Sequence, residues 1–225
     1  MANRTSRRFK RSSRVVAPGA ETYELTKIDV AEALIRTAVR LFFEGRHPVP
    51  IYLLACSARE LLTTLGEKMG VETTLHSIAK RKKISVEELI PQAHKYANFF
   101  KHAKRDPTAK LTFTETEVDH ILGMVCHDFG RVTGGMPVEA SVFEAWWVSS
   151  SGQRVMDAPL RRQEMLKMAI KEFPRIRAAD RKTQKQIGLE TLKRVEGDPT
   201  WRIDFEREVK LAFAGGPSRD LGVGS

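Results

Sequence analysis

The chain has 225 residues, of which 41% are hydrophobic and 29% are charged, a balance that supports a buried core and excludes global disorder. Cys56 and Cys126 belong to no C-x-x-C pair, which argues against a zinc ribbon, a thioredoxin motif or a disulfide scaffold. We therefore expect both cysteines to be buried free thiols. The longest apolar runs, such as 51–56, fall far short of the about 20 residues that a membrane span needs.

The net charge of +10 is unevenly distributed. Residues 1–20 carry six basic residues and no acidic one, residues 21–150 carry 16 basic and 17 acidic residues, and residues 151–225 carry 16 and 11. A neutral body between basic ends differs from a uniformly basic nucleic-acid binder. We divide the chain accordingly into a disordered basic arm at 1–20, a helical bundle at 21–150, a basic helical region at 151–214 and a disordered tail at 215–225.

The N-terminal arm contains Ser6–Lys10, a stretch similar to a twin-arginine export signal. No hydrophobic segment follows it, as such a signal requires. An acid-free start rich in arginine and serine is also typical of an organellar transit peptide. We predict a cytoplasmic location without membrane association, and the alternative that the arm is a targeting segment stays open.

The first elements are predicted to be two packed helices. A capping box, Thr26-x-x-Asp29, opens a run of apolar residues at helical spacing that ends at Gly45. Pro48 then begins a second apolar helix that ends near Gly70. The short connection makes them a helical hairpin.

Shorter helices are predicted next. A helix over 73–84 ends in the basic run Lys80–Lys83, and Ser85 caps the segment that follows. Because proline interrupts helical hydrogen bonding, Pro91 is expected to break this segment into a short helix and a longer one that runs to about Ala103.

The rest of the chain also has mostly helical patterns. Residues 111–113 alternate and are predicted to be extended, after which Thr114-x-x-Glu117 forms a third capping box for a helix that ends at Gly134. Residues 137–149 favour a helix, with a strand as the alternative because of their aromatic and β-branched content.

The C-terminal region follows a linker predicted at 149–152. Helices are predicted at 158–173, 187–195 and 201–213, the last two with basic outer faces. The sequence therefore predicts an all-α fold, a helical bundle followed by a basic helical C-terminal region.

One helical motif suggests chemistry. Asn98 and His102 lie four residues apart, a spacing that places both side chains on one face of a helix together with Lys95. His102 would act as a general acid or base oriented by Asn98, while Lys95 and Lys101 contact a phosphate, which suits metal-independent cleavage of a phosphodiester. Alternatively, Asn98 and His102 satisfy the end of the helix before Asp106.

This stretch resembles HEPN-domain proteins, helical bundles that include many prokaryotic ribonucleases. Their signature is an arginine, a polar residue that is often asparagine, three further residues and a histidine, which Asn98 and His102 match. Ala97 replaces the arginine on which phosphate contact in that family depends. The resemblance covers residues 26–133 by helix pattern. It implies an RNA-related function and a ribonuclease that is either degenerate or rescued by a neighbour such as Lys95.

Two further likenesses accompany that motif. Arg40 and His47 fit a looser family spacing, with Leu41 in place of the polar residue. The sequence around Asn98 also resembles uncharacterised bacterial helical proteins, which implies no activity. In that comparison Arg59 and Glu60 interrupt an apolar helix as an ionic pair within reach of the motif, and a solvated helix edge is the alternative.

Metal binding is the next possibility. Glu117-x-x-His120 has the i, i+3 spacing of carboxylate-bridged di-iron bundles, and Glu44-x-x-His47 repeats it. Such a site needs two more inward glutamates, for which Glu60 is the one plausible residue. We therefore predict no metal and no cofactor.

Predicted nucleic-acid contacts are basic residues of the arm, of the run after residue 79 and of the segment after the motif. They are Arg4, Arg7, Arg8, Lys10, Arg11, Arg14, Lys80, Arg81, Lys82, Lys83, Lys104 and Arg105. Neutralising phosphates would give salt-sensitive, sequence-tolerant binding. The surface would be extended by Arg175, Arg177, Arg181, Arg194 and Trp201.

Together these features predict a protein related to RNA or DNA, with a HEPN-like bundle. The alternative is a non-catalytic helical interaction protein that forms a homodimer or binds a helical partner. Its contact would be Trp146 and Trp147 or the first helix pair, because large aromatic residues dominate both cores and subunit contacts.

Overall fold

The computed structural model describes residues 21–102, 107–151, 169 and 171–197. Regular structure in these ranges is entirely helical and contains no strand, so the predicted all-α fold is confirmed. The helices are α1 (Lys27–Phe43), α2 (Pro48–Met69), α3 (Thr74–Lys82), α4 (Val86–Ala93), α5 (Lys95–Lys101), α6 (Glu115–Thr133), α7 (Val138–Ser151) and α8 (Arg181–Gly197), with a 3-10 turn at Ile176–Ala178. The predicted arm, the tail, the helix at 201–213 and most of that at 158–173 lie outside the described residues.

The first helix pair forms as predicted. Thr26 Oγ1 accepts a hydrogen bond from the backbone N–H of Asp29 at 3.1 Å, and Asp29 Oδ2 accepts one from that of Thr26 at 2.8 Å. Gly45 follows α1 with φ +68°, a left-handed conformation that glycine adopts without strain. The chain therefore folds back at once, and α2 packs along α1.

An aromatic cluster joins α1, α7 and α8. Phe42, Phe43 and Phe143 surround Trp146, whose ring centroid lies 5.1 Å from that of Phe42. Trp146 is 0% exposed, and its Nε1 donates to the backbone oxygen of Gln184 in α8 at 2.8 Å. Trp146 is thus a core residue, which removes it from the subunit contact of the interaction hypothesis.

Two predictions from the sequence are wrong. Thr114 forms no capping box; its hydroxyl contacts that of Thr116 at 2.7 Å, and Glu117 instead accepts a hydrogen bond from the Tyr96 hydroxyl at 3.2 Å. A tertiary partner therefore replaces the local cap. Residues 149–151 form the end of α7 rather than a linker, because Ser149 is buried and its backbone oxygen accepts from Arg177.

Gly188→Ala is expected to destabilise the fold by about 1–3 kcal/mol through overpacking, although alanine favours a helix over glycine by about 1 kcal/mol. A Cβ at this position of α8 would lie 2.9 Å from Cζ of the Phe43 ring and closer to two other ring carbons. Chemical denaturation measures the effect. Gly197→Ala, which meets nothing within 4 Å, is the control; equal stability of the two variants would contradict the packing of α8 on α1.

Candidate anion-binding pocket

A cavity of about 350 Å³ lies among α2, α3, α4, α5 and α6. Lining residues that share a helix are mostly three, four or seven positions apart, which is the spacing of one helical face. The apolar part of the lining includes Leu75, Ile78, Leu89, Ile121 and Met124. The polar part consists of Arg59, Lys82, Gln92, Glu117 and His120 together with the hydroxyl-bearing Tyr52 and Tyr96.

Arg59 is the charged residue buried in this wall, with 2% of its surface exposed. It lies in the same stripe of α2 as the buried Cys56 and Leu62, three residues away on either side. Its Nη1 donates to the backbone oxygen of Ala93 at 2.9 Å. Ala93 is the last residue of α4, where backbone carbonyls have no partner within the helix. Arg59 therefore caps the C-terminal end of α4.

α4 ends later than predicted, because Pro91 does not break it. Pro91 lies inside α4, and the break before α5 falls at His94, whose φ is −97° and ψ is 0°. His94 Nδ1 lies 3.4 Å from Glu60 Oε1. This break directs the Ala93 carbonyl toward α2, so Arg59 and Glu60 both reach the α4–α5 junction. The solvated edge predicted as the alternative for this pair is wrong for Arg59.

The remaining donors of Arg59 are unpaired. Neither Nε nor Nη2 has a hydrogen-bond partner among the described residues. The two N–H groups share one edge of the planar guanidinium and point in parallel, which is the fork that carboxylates and phosphates fit. A buried charge without a counter-charge is costly. The arrangement is therefore suited to binding an anion.

The two nearby carboxylates, Glu60 and Glu117, contact other side chains and form no ion pair with Arg59. Burial lowers the pKa of His94, and the nearby Arg59 lowers it further, so the imidazole is neutral at neutral pH. Burial raises the pKa of the Cys56 thiol and of the Tyr52 hydroxyl above their usual ranges. Glu117 accepts a hydrogen bond from the Tyr96 hydroxyl. The guanidinium of Arg59 thus has no directly paired carboxylate among the described residues.

Asn98 lies in α5, and His102 is the C-cap that follows it. α5 ends at Lys101, and His102 has φ −127° and ψ 104°. Both side chains are exposed, with no hydrogen bond or ion pair to another described residue. The helix end is satisfied by backbone alone, since the His102 N–H donates to the Asn98 oxygen at 3.0 Å. Ala97, which occupies the family's arginine position, is 0% exposed.

The lysines predicted beside that motif are exposed on α5. Lys95 Nζ lies 5.6 Å from the centroid of the Tyr96 ring, and Lys101 is the last residue of the helix. Of the basic run at the end of α3, Lys82 reaches the mouth of the cavity, and Lys80 lies 3.8 Å from Glu72. The arm, Lys104 and Arg105 lie outside the described residues.

Three arginines of the predicted C-terminal extension of the basic surface have partners within the fold. Arg177 Nε donates to the Ser149 oxygen at 2.9 Å, Arg181 pairs with Glu115 at 3.3 Å and with Asp119, and Arg194 pairs with Glu172 at 2.7 Å. Arg175 is exposed, and Trp201 lies outside the described residues.

Two residues of the other predicted constellations, Arg40 and His47, have structural roles. Arg40 pairs with the buried Glu139, and His47 Nδ1 accepts the Val49 N–H at 3.3 Å as the N-cap of α2. Glu117 and His120 line the cavity. Within the described ranges, no three histidine, cysteine, aspartate or glutamate side chains form a cluster suited to a metal. No helix described here is both long and apolar enough to span a membrane.

Sequence reasoning missed the burial of Arg59. The available signal was its register, since Arg59 is seven residues from Tyr52 and three from Cys56 on the stripe that also holds Leu62. Comparison with protein-family models, with curated proteins and with solved structures gives no significant match. The functional conclusion therefore depends on the pocket and its surroundings.

Proposed function

We propose that the protein binds RNA through the basic residues around the mouth of the cavity, without cleaving it. The observation that carries the proposal is that Lys82 of α3 and Tyr96 of α5 line the same cavity. Lys82 borders this concave surface, and the other basic residues of Lys80–Lys83 and the exposed lysines of α5 lie within five residues of a lining residue. Separated cations along such a surface attract a phosphate backbone in a salt-dependent, sequence-tolerant way.

Binding without cleavage is favoured by the position of His102. A catalytic histidine is commonly oriented by a hydrogen-bonded partner, and the exposed His102 side chain has none among the residues described. The HEPN-like interpretation remains part of the proposal as a degenerate ribonuclease, with Ala97 in the place of the arginine. RNA that stays intact with the wild-type protein is the expected result, and metal-independent cleavage that His102→Ala abolishes would contradict it.

The test is fluorescence anisotropy with labelled single-stranded RNA and the double variant Arg81→Glu, Lys82→Glu. We expect binding to weaken about tenfold or more and the slope of log K against log salt to fall by about 1.4, because two phosphate contacts are lost. Both residues are exposed and belong to no ion pair within the described part of the chain.

The matched control is Lys182→Glu, Lys193→Glu on α8, which changes the net charge equally at exposed positions. Its RNA affinity should stay much closer to that of the wild-type protein. An equal loss in both variants would show that total charge, and not this surface, determines binding. Absence of RNA binding by the wild-type protein would contradict the proposal outright.

A further inference from the structure

We infer that the cavity is a binding site for a small carboxylate with an apolar body, whose carboxylate oxygens accept hydrogen bonds from Nε and Nη2 of Arg59. It shares Lys82 with the RNA proposal, and its ligand is held by Arg59. The group that would bind is a side chain 2% exposed inside the helical bundle, whereas RNA would meet the exposed lysines outside.

The donor geometry is fixed before any ligand arrives. The Nη1 bond to the Ala93 oxygen at 2.9 Å holds the guanidinium plane, and α2 and α4 are both packed against neighbouring helices. The free edge holds Nε–H and Nη2–H side by side, with both nitrogens fully buried, and this pair matches the two oxygens of a carboxylate. A carboxylate therefore reaches the two donors when neighbouring side chains of the lining shift.

The charges of the lining select a monoanion. Arg59 and Lys82 are positive and Glu117 is negative, so the fixed charges of the lining leave an excess of one positive charge that a carboxylate balances. A phosphate monoester, which carries nearly two negative charges at neutral pH, would exceed that balance and approach Glu117.

The remaining walls fit an apolar body. Beyond the polar groups the lining is aliphatic, with Leu75, Leu89, Ile121 and Met124 among its members. The volume of about 350 Å³ lies at the small end of the range of ligand sites, about 300–1,000 Å³. Burial of an aliphatic or phenyl group there would add hydrophobic free energy to the charged hydrogen bonds.

The test is isothermal titration calorimetry of the full chain with hexanoate, octanoate and 3-phenylpropanoate. At least one of them should bind saturably at one site. That binding should weaken at least about 30-fold in Arg59→Met, the loss expected when one partner of a buried charged pair is removed. Arg131→Met, which removes an exposed arginine of α6, is the matched control and should bind as the wild type does.

Three further measurements test the chemistry of the ligand and the place where it binds. The neutral amide of the best carboxylate and phenyl phosphate should each bind at least about tenfold more weakly than the carboxylate. Met124→Trp should abolish binding by filling the cavity while Arg59 remains, and circular dichroism should show that this variant is folded. RNA affinity should be unchanged in Arg59→Met, so that failure of one proposal is distinguishable from failure of the other.

Specific results would overturn the inference. Equal carboxylate binding by the wild type and Arg59→Met, or equal binding of acid and amide, would remove Arg59 from the site. Tighter binding of phenyl phosphate would overturn the assignment of a carboxylate. Absence of saturable binding by all three carboxylates would overturn the site itself.

Discussion

Arg59→Met is expected to leave the unliganded protein at least as stable as the wild type. The substitution removes a buried cation whose Nε and Nη2 have no partner among the described residues, and uncompensated burial of a charge costs several kcal/mol. It also removes the Nη1 bond to Ala93, which costs about 1–3 kcal/mol. Because the first effect is the larger, urea unfolding at neutral pH should show a free energy of unfolding that is unchanged or raised.

The control for this prediction is Arg181→Met. Arg181 pairs with Glu115 and Asp119, and burial already raises the pKa of Asp119. Loss of its guanidinium partner should therefore lower the stability. If Arg59→Met were instead destabilised by more than about 1 kcal/mol, the capping of α4 by Arg59 would outweigh the cost of burying its charge, and its burial would require no ligand.

Trp146→Ala is expected to cost about 3–5 kcal/mol of the free energy of unfolding, as removal of a buried aromatic side chain does. Its ring is 0% exposed among Phe42, Phe43 and Phe143, and its Nε1 bonds to α8. Against a typical total of about 5–15 kcal/mol, such a loss leaves a marginal protein. Guanidinium denaturation followed by far-ultraviolet circular dichroism measures it.

Trp147→Ala is the companion variant. Trp147 is half-buried and lies against Gly123 of α6, so its removal should cost less than removal of Trp146. Light scattering of both variants tests the interaction hypothesis at the same time. A Trp146→Ala protein with wild-type stability and an altered oligomeric state would mark a subunit contact in place of a core.

The helices were predictable because their signals are local. The capping boxes at Thr26 and Ser85 form as the sequence indicates, and apolar residues at helical spacing mark the buried faces of α1, α2 and α6. The predictions fail where a partner far away in the sequence determines the contact. Glu117 accepts a hydrogen bond from Tyr96, 21 residues away. No short-range pattern could show that Glu117 would not complete the capping box with Thr114.

The candidate site was visible only in pieces. Arg59, Lys82 and Glu117 each stand out in the sequence for a different reason, but they lie on three helices and meet only in the folded chain. The Asn98–His102 spacing predicted a helix that continues through His102. Instead α5 ends at Lys101, and His102 is its C-cap; helix boundaries of this kind vary by one or two residues.

The claim that Arg59 is an anion receptor is tested most directly by a crystal structure of the full chain soaked with a brominated 3-phenylpropanoate. We expect an anomalous bromine peak among the apolar residues of the cavity. We also expect carboxylate oxygens within hydrogen-bond distance of both Nε and Nη2 of Arg59. A structure in which acceptors of the chain itself occupy these two donors, with no bromine in the cavity, would contradict the claim.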